Sequence, residues 1–447
     1  YFFLKKKQLK SEKKKKSTHN MSMMWKPLIA MYLVYVGIRA TTIILDVTFA
    51  PILDAFDANK KMVGMVLSIG TFGYLVGKLT TGGMADKFGG ARMLKYTMVI
   101  CLLLTFVMSW TTNVLQLSIV WSLFRYMSSA VWPSLSQLVI KNFDTSKHSM
   151  LFSILNTSPR SGNMLGGLLF GYLLDEGWDW RSIYRLGSIG LMVPILIYCL
   201  LFLHFKKSPT PLPLVEEEVE RKEEASKPEE SIQYNFPSTM RGYTYFLAQP
   251  SFQRLILAQL GLCAVIELHA FYPLMIKETL DISAGEAGQL SAMFQLGCVV
   301  SLLLVSQLYH RLRPSQQEFV ILLCMACSSI IFFCWSMFIH TNERIVMVMM
   351  GLLGAFLAPP YCIPNAMYQS KMGGDFCSSL SGLVDAIAFI ASMCCNILVG
   401  YVASNYGWEN VLRLGVVGSA ASTISMYFYY SSMSSNNNDK LNKPLSE

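Results

Sequence analysis

The sequence predicts an all-α membrane protein of twelve transmembrane helices arranged as two pseudo-symmetric halves of six. Three observations carry that expectation. Of 447 residues, 53% are hydrophobic and only 15% are charged, against about a quarter charged in ordinary soluble domains, and the mean hydropathy is +0.40. Apolar blocks of about 20 residues or more, long enough to cross a bilayer as a helix, recur between short charged or turn-rich breaks. A stretch near the end of the first half also returns near the end of the second.

The elements follow in order from those breaks. Residues 1–26 form a basic tail with eight lysines between residues 5 and 16. The first methionine is Met21, and no short apolar core with a small-residue cleavage site follows the lysines, so no cleavable signal is expected. The tail is given no fold, and the first span is expected to act as its own insertion signal. Spans are predicted at 27–50, 62–85, 92–111, 114–139, 148–174 and 182–205, then at 252–276, 286–309, 317–339, 345–368, 376–404 and 410–431. The halves are 27–205 and 246–431. Between them, residues 206–245 include "SPTPLPLVEEEVERKEEASKPEES", a proline-punctuated, acidic cytoplasmic linker. Residues 432–447 form a second tail.

Lys87, Arg92, Lys95, Lys141, Lys147, Arg311, Arg313 and Lys371 fall in short loops on the same side as both termini. By the positive-inside rule that side is cytoplasmic. The net charge of +9 therefore belongs to loops and tails facing a lipid bilayer, not to a nucleic-acid surface. Eleven cysteines fall mostly inside apolar runs, where a thiol behaves as a small hydrophobe. Cys324 and Cys327 have CxxC spacing but lie in "VILLCMACSSIIFF" without a turn or a third ligand, so no metal is called for.

The repeat is "GYLLDEGWDWRSIYRLG" at 171–187 against "GYVASNYGWENVLRLG" at 400–415, pairing Gly177 with Gly407, Trp178 with Trp408 and Arg185 with Arg413. Helix 5 thus corresponds to helix 11. A parallel repeat about an axis along the membrane normal places a substrate path between the halves.

Between spans 2 and 3, "GGMADKFGGAR" offers Gly82, Asp86, Lys87, Gly89 and Arg92. Glycines permit a tight turn, and Asp86 suits the positive end of a neighbouring helix. This loop resembles the signature of the major facilitator superfamily, with Gly90 and Ala91 standing where its basic pair falls. The resemblance covers residues 27–431 and implies alternating access by rocking of the halves, with this loop as a latch. The corresponding loop, "SQLYHRLRP", has His310 in the aspartate position, which makes the latch one-sided.

Ionisable groups inside membrane spans are costly and mark function. Arg39, Lys78, Arg125 and Arg160 make the first half basic, with Asp46 its notable carboxylate, while Glu267, His269 and Asp385 make the second half mainly acidic. Several cations facing one cavity imply an anion. Plainer roles stand beside these: snorkelling for Lys78, a structural helix partner for Arg125, a cap for Asp385, and an unoccupied vestibule for Glu267 and His269.

"YLVYVGIRATT", "YLVGKLTTGGMADK", "AVWPSLSQLVI" and "SILNTSPRSGNMLGGLLF" resemble the organophosphate:phosphate antiporter branch of that superfamily. The resemblance implies that Arg39 contacts phosphate with Lys78 beside it, and that Asn156 and Arg160 extend the substrate site. The branch's second phosphate-binding arginine is absent: its position falls near Val265, and the histidine of some members falls on Pro159.

The sequence thus predicts a monomeric secondary transporter of a small organic anion, a phosphorylated metabolite exchanged for inorganic phosphate. Two alternatives stand: a proton-coupled symporter of a carboxylate or zwitterion using Glu267, His269 or Asp385, and a non-transporting sensor. No GxxxxGK[ST] loop, HExxH or GxSxG motif occurs, so neither an ATP-driven pump nor an enzyme is expected, and no cofactor.

Overall fold

The structure, a computed structural model, describes residues 2–143, 145–206, 239–309, 311–340, 342–372 and 377–441. The first half contains α1 (Phe2–Ala55), α2 (Lys60–Phe88), α3 (Gly90–Met108), α4 (Val114–Ser128), α5 (Val131–Asn142), α6 (Thr145–Asp175) and α7 (Trp180–Lys206). The second contains α8 (Thr239–Ala248), α9 (Pro250–Glu267), a 3-10 turn (Leu268–Phe271), α10 (Tyr272–Leu280), α11 (Ala284–Tyr309) and α12 (Pro314–Met337). It ends with α13 (Glu343–Met372), α14 (Cys377–Asn405) and α15 (Trp408–Leu441).

Local chemistry sets several of these boundaries. Asn59 and Asn113 accept from the main-chain N–H groups of Met62 and Gln116, and so cap α2 and α4. The fourth expected span bends between α4 and α5. There the Ser128 and Ser129 hydroxyls donate to the Arg125 and Tyr126 carbonyls at 3.0 and 2.7 Å, competing with the helical ladder. The seventh expected span breaks between α9 and α10. Pro273 has no N–H and its ring excludes the carbonyl four residues back, at His269, so the chain tightens into the 3-10 turn.

Among the described residues, eleven helical stretches are apolar and long enough to cross a membrane. The expected fifth span corresponds to α6, whose 31 residues are long enough but include Asn156, Arg160 and Asn163. The tails differ from expectation. Helix α1 starts at Phe2 and α15 runs to Leu441, so described residues 2–26 and 432–441 continue the first and last spans. Helix α8 occupies the end of the expected linker, most of which lies outside the described residues.

The repeat reappears as geometry. Gly177 (φ +86°) and Gly407 (φ +82°) turn the chain at matching points before α7 and α15, in a region that only glycine enters freely. Next to the first turn, the Ser182 hydroxyl and the main-chain N–H groups of Ser182 and Arg181 donate to Asp179, holding its carboxyl below the usual range.

The halves meet along two seams, α2 with α14 and α6 with α11. We name the side where α1 begins the terminal face and the other the opposite face. Near the opposite face α6 and α11 touch through bare backbone: a Cβ on Gly171 would lie 2.8 Å from the Gly285 carbonyl oxygen. Ser283 there donates to Asp175 across the seam. Gly171→Val is therefore expected to part this seam. A cysteine at buried Ala292 on α11 should then react several-fold faster with a membrane-impermeant maleimide than in the Gly171 protein.

Candidate functional site

On α1, Arg39, Thr42 and Asp46 recur at spacings of three and four and share one face. They line a cavity of about 20 Å³, room for roughly one water. Leu67 and Thr71 of α2, Trp121 and Arg125 of α4, and Asn163 of α6 complete its first-half wall. Glu267 from the end of α9, His269 and Ala270 from the 3-10 turn, and Asn396 of α14 close it from the second half.

Arg39 is held by Asn163. With its amide oxygen toward the guanidinium, Asn163 accepts from Arg39 Nη2 and donates to the Arg39 carbonyl, each at 3.2 Å. Opposite, the His269 Nδ1–H donates to the Ile266 carbonyl at 2.9 Å, leaving Nε2 as the ring's other polar atom. Its ring stacks on Phe294 at 5.9 Å, and Phe294 packs edge-on against Tyr272 at 5.5 Å. The break at Pro273 and this aromatic packing place Glu267 and His269 at the cavity.

Arg125 lies over two rings, 4.6 Å from the Tyr74 centroid and 5.7 Å from that of Trp121. Tyr74 also faces the Lys78 ammonium at 5.3 Å, so one ring serves two cations. Lys78 in turn donates to Asp385 across the seam at 2.8 Å, and Tyr74 meets Phe389 of α14 edge-on at 4.8 Å. At the cavity's own level Asn396 donates to Thr71 at 3.3 Å, and Ser68 donates to the Met393 carbonyl at 2.8 Å. Along this seam the halves are joined at the cavity and on the terminal side of it.

Arg39, Arg125, Glu267 and His269 share the cavity; four other expected site residues do not line it. Lys78 is buried but does not snorkel, and its charge is matched by Asp385, so neither stands alone as an anion ligand or a helix cap. Arg160 is half-buried and Asn156 exposed. The α6 amide at the cavity is Asn163, two turns beyond Asn156 on the helix face that meets α1.

In the loop after α2, Gly89 has φ +86° and donates to the Ala85 carbonyl at 2.8 Å, while a Cβ on Gly82 would meet open space. Lys87 and Arg92 are exposed. The Asp86 side chain and His310 lie outside the described residues. A cross-half contact that sequence reasoning missed stands at the opposite face: Lys60 pairs with Glu278, which accepts from Trp408 Nε1 at 2.7 Å. The polar character of Asn163, Asn396 and Thr71 inside apolar spans was the available signal for the missed cavity residues.

The profile described as Major Facilitator Superfamily matches residues 31–383, which covers both sides of the cavity. The chain belongs to the major facilitator superfamily. It is an integral, multi-pass transporter and not an enzyme. Among its relatives, the bovine glucose-6-phosphate exchanger SLC37A2 is 22% identical over 393 residues, covering 79% of this chain and 78% of that protein. The gallate transporter of Pseudomonas putida is 21% identical over 316 residues, covering 65% and 67%. In fold, this major facilitator protein is similar to a bacterial homologue of the human lysosomal transporter Spinster, solved in an inward-facing and unoccupied conformation. That likeness has a TM-score of 0.65 at 14% identity and covers 90% of this chain and 95% of the other.

Proposed function

We propose that the protein moves a small organic anion by alternating access, and that the anion is a phosphorylated metabolite exchanged for inorganic phosphate. The observation that carries this reading is Arg39. It lies near mid-span, is aimed by Asn163, and borders a cavity shared by both halves together with Arg125. A guanidinium presents paired donors that match phosphate or carboxylate oxygens. The sugar-phosphate exchanger among the relatives supports the phosphate choice. In this proposal the terminal face is the cytoplasmic one, as its basic loops favour, and the halves rock about the cavity.

Vesicles reconstituted with the purified protein and loaded with phosphate test the reading. Uptake of a labelled sugar phosphate or triose phosphate should require internal phosphate and persist when the proton gradient is collapsed. Uptake driven by a proton gradient with no internal phosphate would instead support the carboxylate symport reading, which Glu267 and His269 at the cavity and the gallate transporter among the relatives favour.

Asn163→Ala should leave folding intact and weaken substrate affinity by about tenfold, the loss of about one hydrogen bond to a charged group. Half-saturation of uptake measures it.

A further inference from the structure

The cavity already balances its own fixed charges. Arg39 and Arg125 supply two cations, and Asp46 and Glu267 supply two carboxylates. An anion that settles on the guanidiniums leaves the cavity with excess negative charge in a setting of low dielectric, where that excess is expensive. Among the described residues, no further lysine or arginine lines the cavity. The missing positive charge must enter from outside.

Asp46 is the group placed to accept it. It is 5% exposed, and among the described residues it forms no ion pair and no hydrogen bond. It lies seven residues from Arg39, roughly 10 Å along the same helix. The ionisable groups facing it are Arg39 on its own helix, Arg125 from α4, Tyr184 from α7, Glu267 from α9 and His269 from the 3-10 turn. While the cavity is empty, the two guanidiniums compensate the carboxylate. Once they are engaged by an anion, Asp46 keeps its burial and its neighbour Glu267 and loses that compensation. Glu267 is half-buried and sits at a helix break, where solvation is easier to keep.

We infer that Asp46 is a proton-binding site, and that each anion seated at Arg39 and Arg125 is accompanied by one proton from water onto the Asp46 carboxylate. No bond of the substrate changes: a carboxylate becomes a carboxyl, and the proton leaves when the anion leaves. This rests on the cavity being the anion site. It extends that reading by assigning to a proton the charge compensation that a further cation would otherwise give.

Infrared difference spectra of the purified protein in lipid, with and without inorganic phosphate at neutral pH, test it. Phosphate should produce the carbonyl band of a protonated carboxyl. The band should shift when aspartate is carbon-13 labelled at the carboxyl, disappear in Asp46→Asn, and persist in Asp385→Asn. The labelled wild-type and Asp385→Asn proteins make the assignment even where Asp46→Asn folds poorly. A band that survives in folded Asp46→Asn, or fails to shift with the label, overturns the inference, as does phosphate binding, followed by intrinsic fluorescence, without a new band.

A ligand-free arm separates the two readings. Arg39→Gln removes one compensating cation, so the aspartate band should be present without phosphate and absent from Arg39→Gln/Asp46→Asn. If phosphate does not bind but this band appears, the proton site stands and the phosphate reading fails. If Arg39→Gln shows no such band, the proton site fails.

Discussion

Arg39→Ala is expected to reduce substrate flux by about two to four orders of magnitude. Two charged hydrogen bonds from one guanidinium are worth about 1.5–3 kcal/mol each, and each 1.4 kcal/mol is about a factor of ten. Arg39→Lys should recover only part of this loss. Lysine keeps the charge but not the planar fork, and the amide oxygen of Asn163 is placed to orient Nη2 of a guanidinium. Initial rates of uptake into phosphate-loaded vesicles, normalised to the amount of folded protein, measure both variants. Equal rates for Arg39→Lys and the parent would show that the site uses only a point charge.

The structural reason for the size of this effect is that Arg39 has no substitute. Arg125 already faces Tyr74 and Trp121, Lys78 is paired with Asp385, and Arg160 does not line the cavity. Of the four membrane cations visible in the sequence, Arg39 alone combines the cavity wall with a partner that aims its donors there. An alanine would also leave Asp46 and Glu267 facing Arg125 as the one remaining guanidinium of the wall.

What the sequence made legible divides along physical lines. Span length and apolarity are local properties, so the helices and the two halves could be read directly, and the repeat returned as the matched turns at Gly177 and Gly407. Ionisable residues inside apolar runs stood out for the same reason. Their partners did not, because pairing is a property of the fold: Lys78 and Asp385 are separated by 307 positions and meet only when α2 lies along α14. Asn156 and Asn163 lie seven residues apart, two turns of α6 on nearly the same side, so which of them reaches the cavity depends on depth along the helix, roughly 10 Å, and only the fold supplies that depth. The tails were given no fold because a lysine run has no apolar period to read, while the described residues 2–26 and 432–441 continue as helix, lysine being a good helix former. Glu278 near the end of α10 reads as an ordinary helix-end charge until Lys60 and Trp408 are seen beside it.

Breaking the Lys78–Asp385 pair should have the second large effect, on stability as well as transport. The Lys78 side chain is 6% exposed and that of Asp385 24%, so the aspartate can be replaced without opening a large void, but the ammonium cannot reach water. Asp385→Asn would leave a buried cation without its carboxylate, at a cost of about 3–5 kcal/mol for an uncompensated charge. Thermal melting of the purified protein should show a large loss of stability. The double variant Lys78→Met/Asp385→Asn should regain most of it, because removing both charges of a buried pair is often close to neutral. Transport separates a structural pair from a gate. The pair and the Tyr74–Phe389 contact both join the halves on the terminal side of the cavity, so opening toward that face must break them together. If the pair serves as a gate, the double variant will be stable, will label readily from the terminal face at a cysteine placed on Thr71, and will exchange substrate slowly because it no longer recloses. If it serves stability alone, the double variant will exchange at the parental rate, and a stable, fast-exchanging double variant would remove Lys78 and Asp385 from the transport cycle.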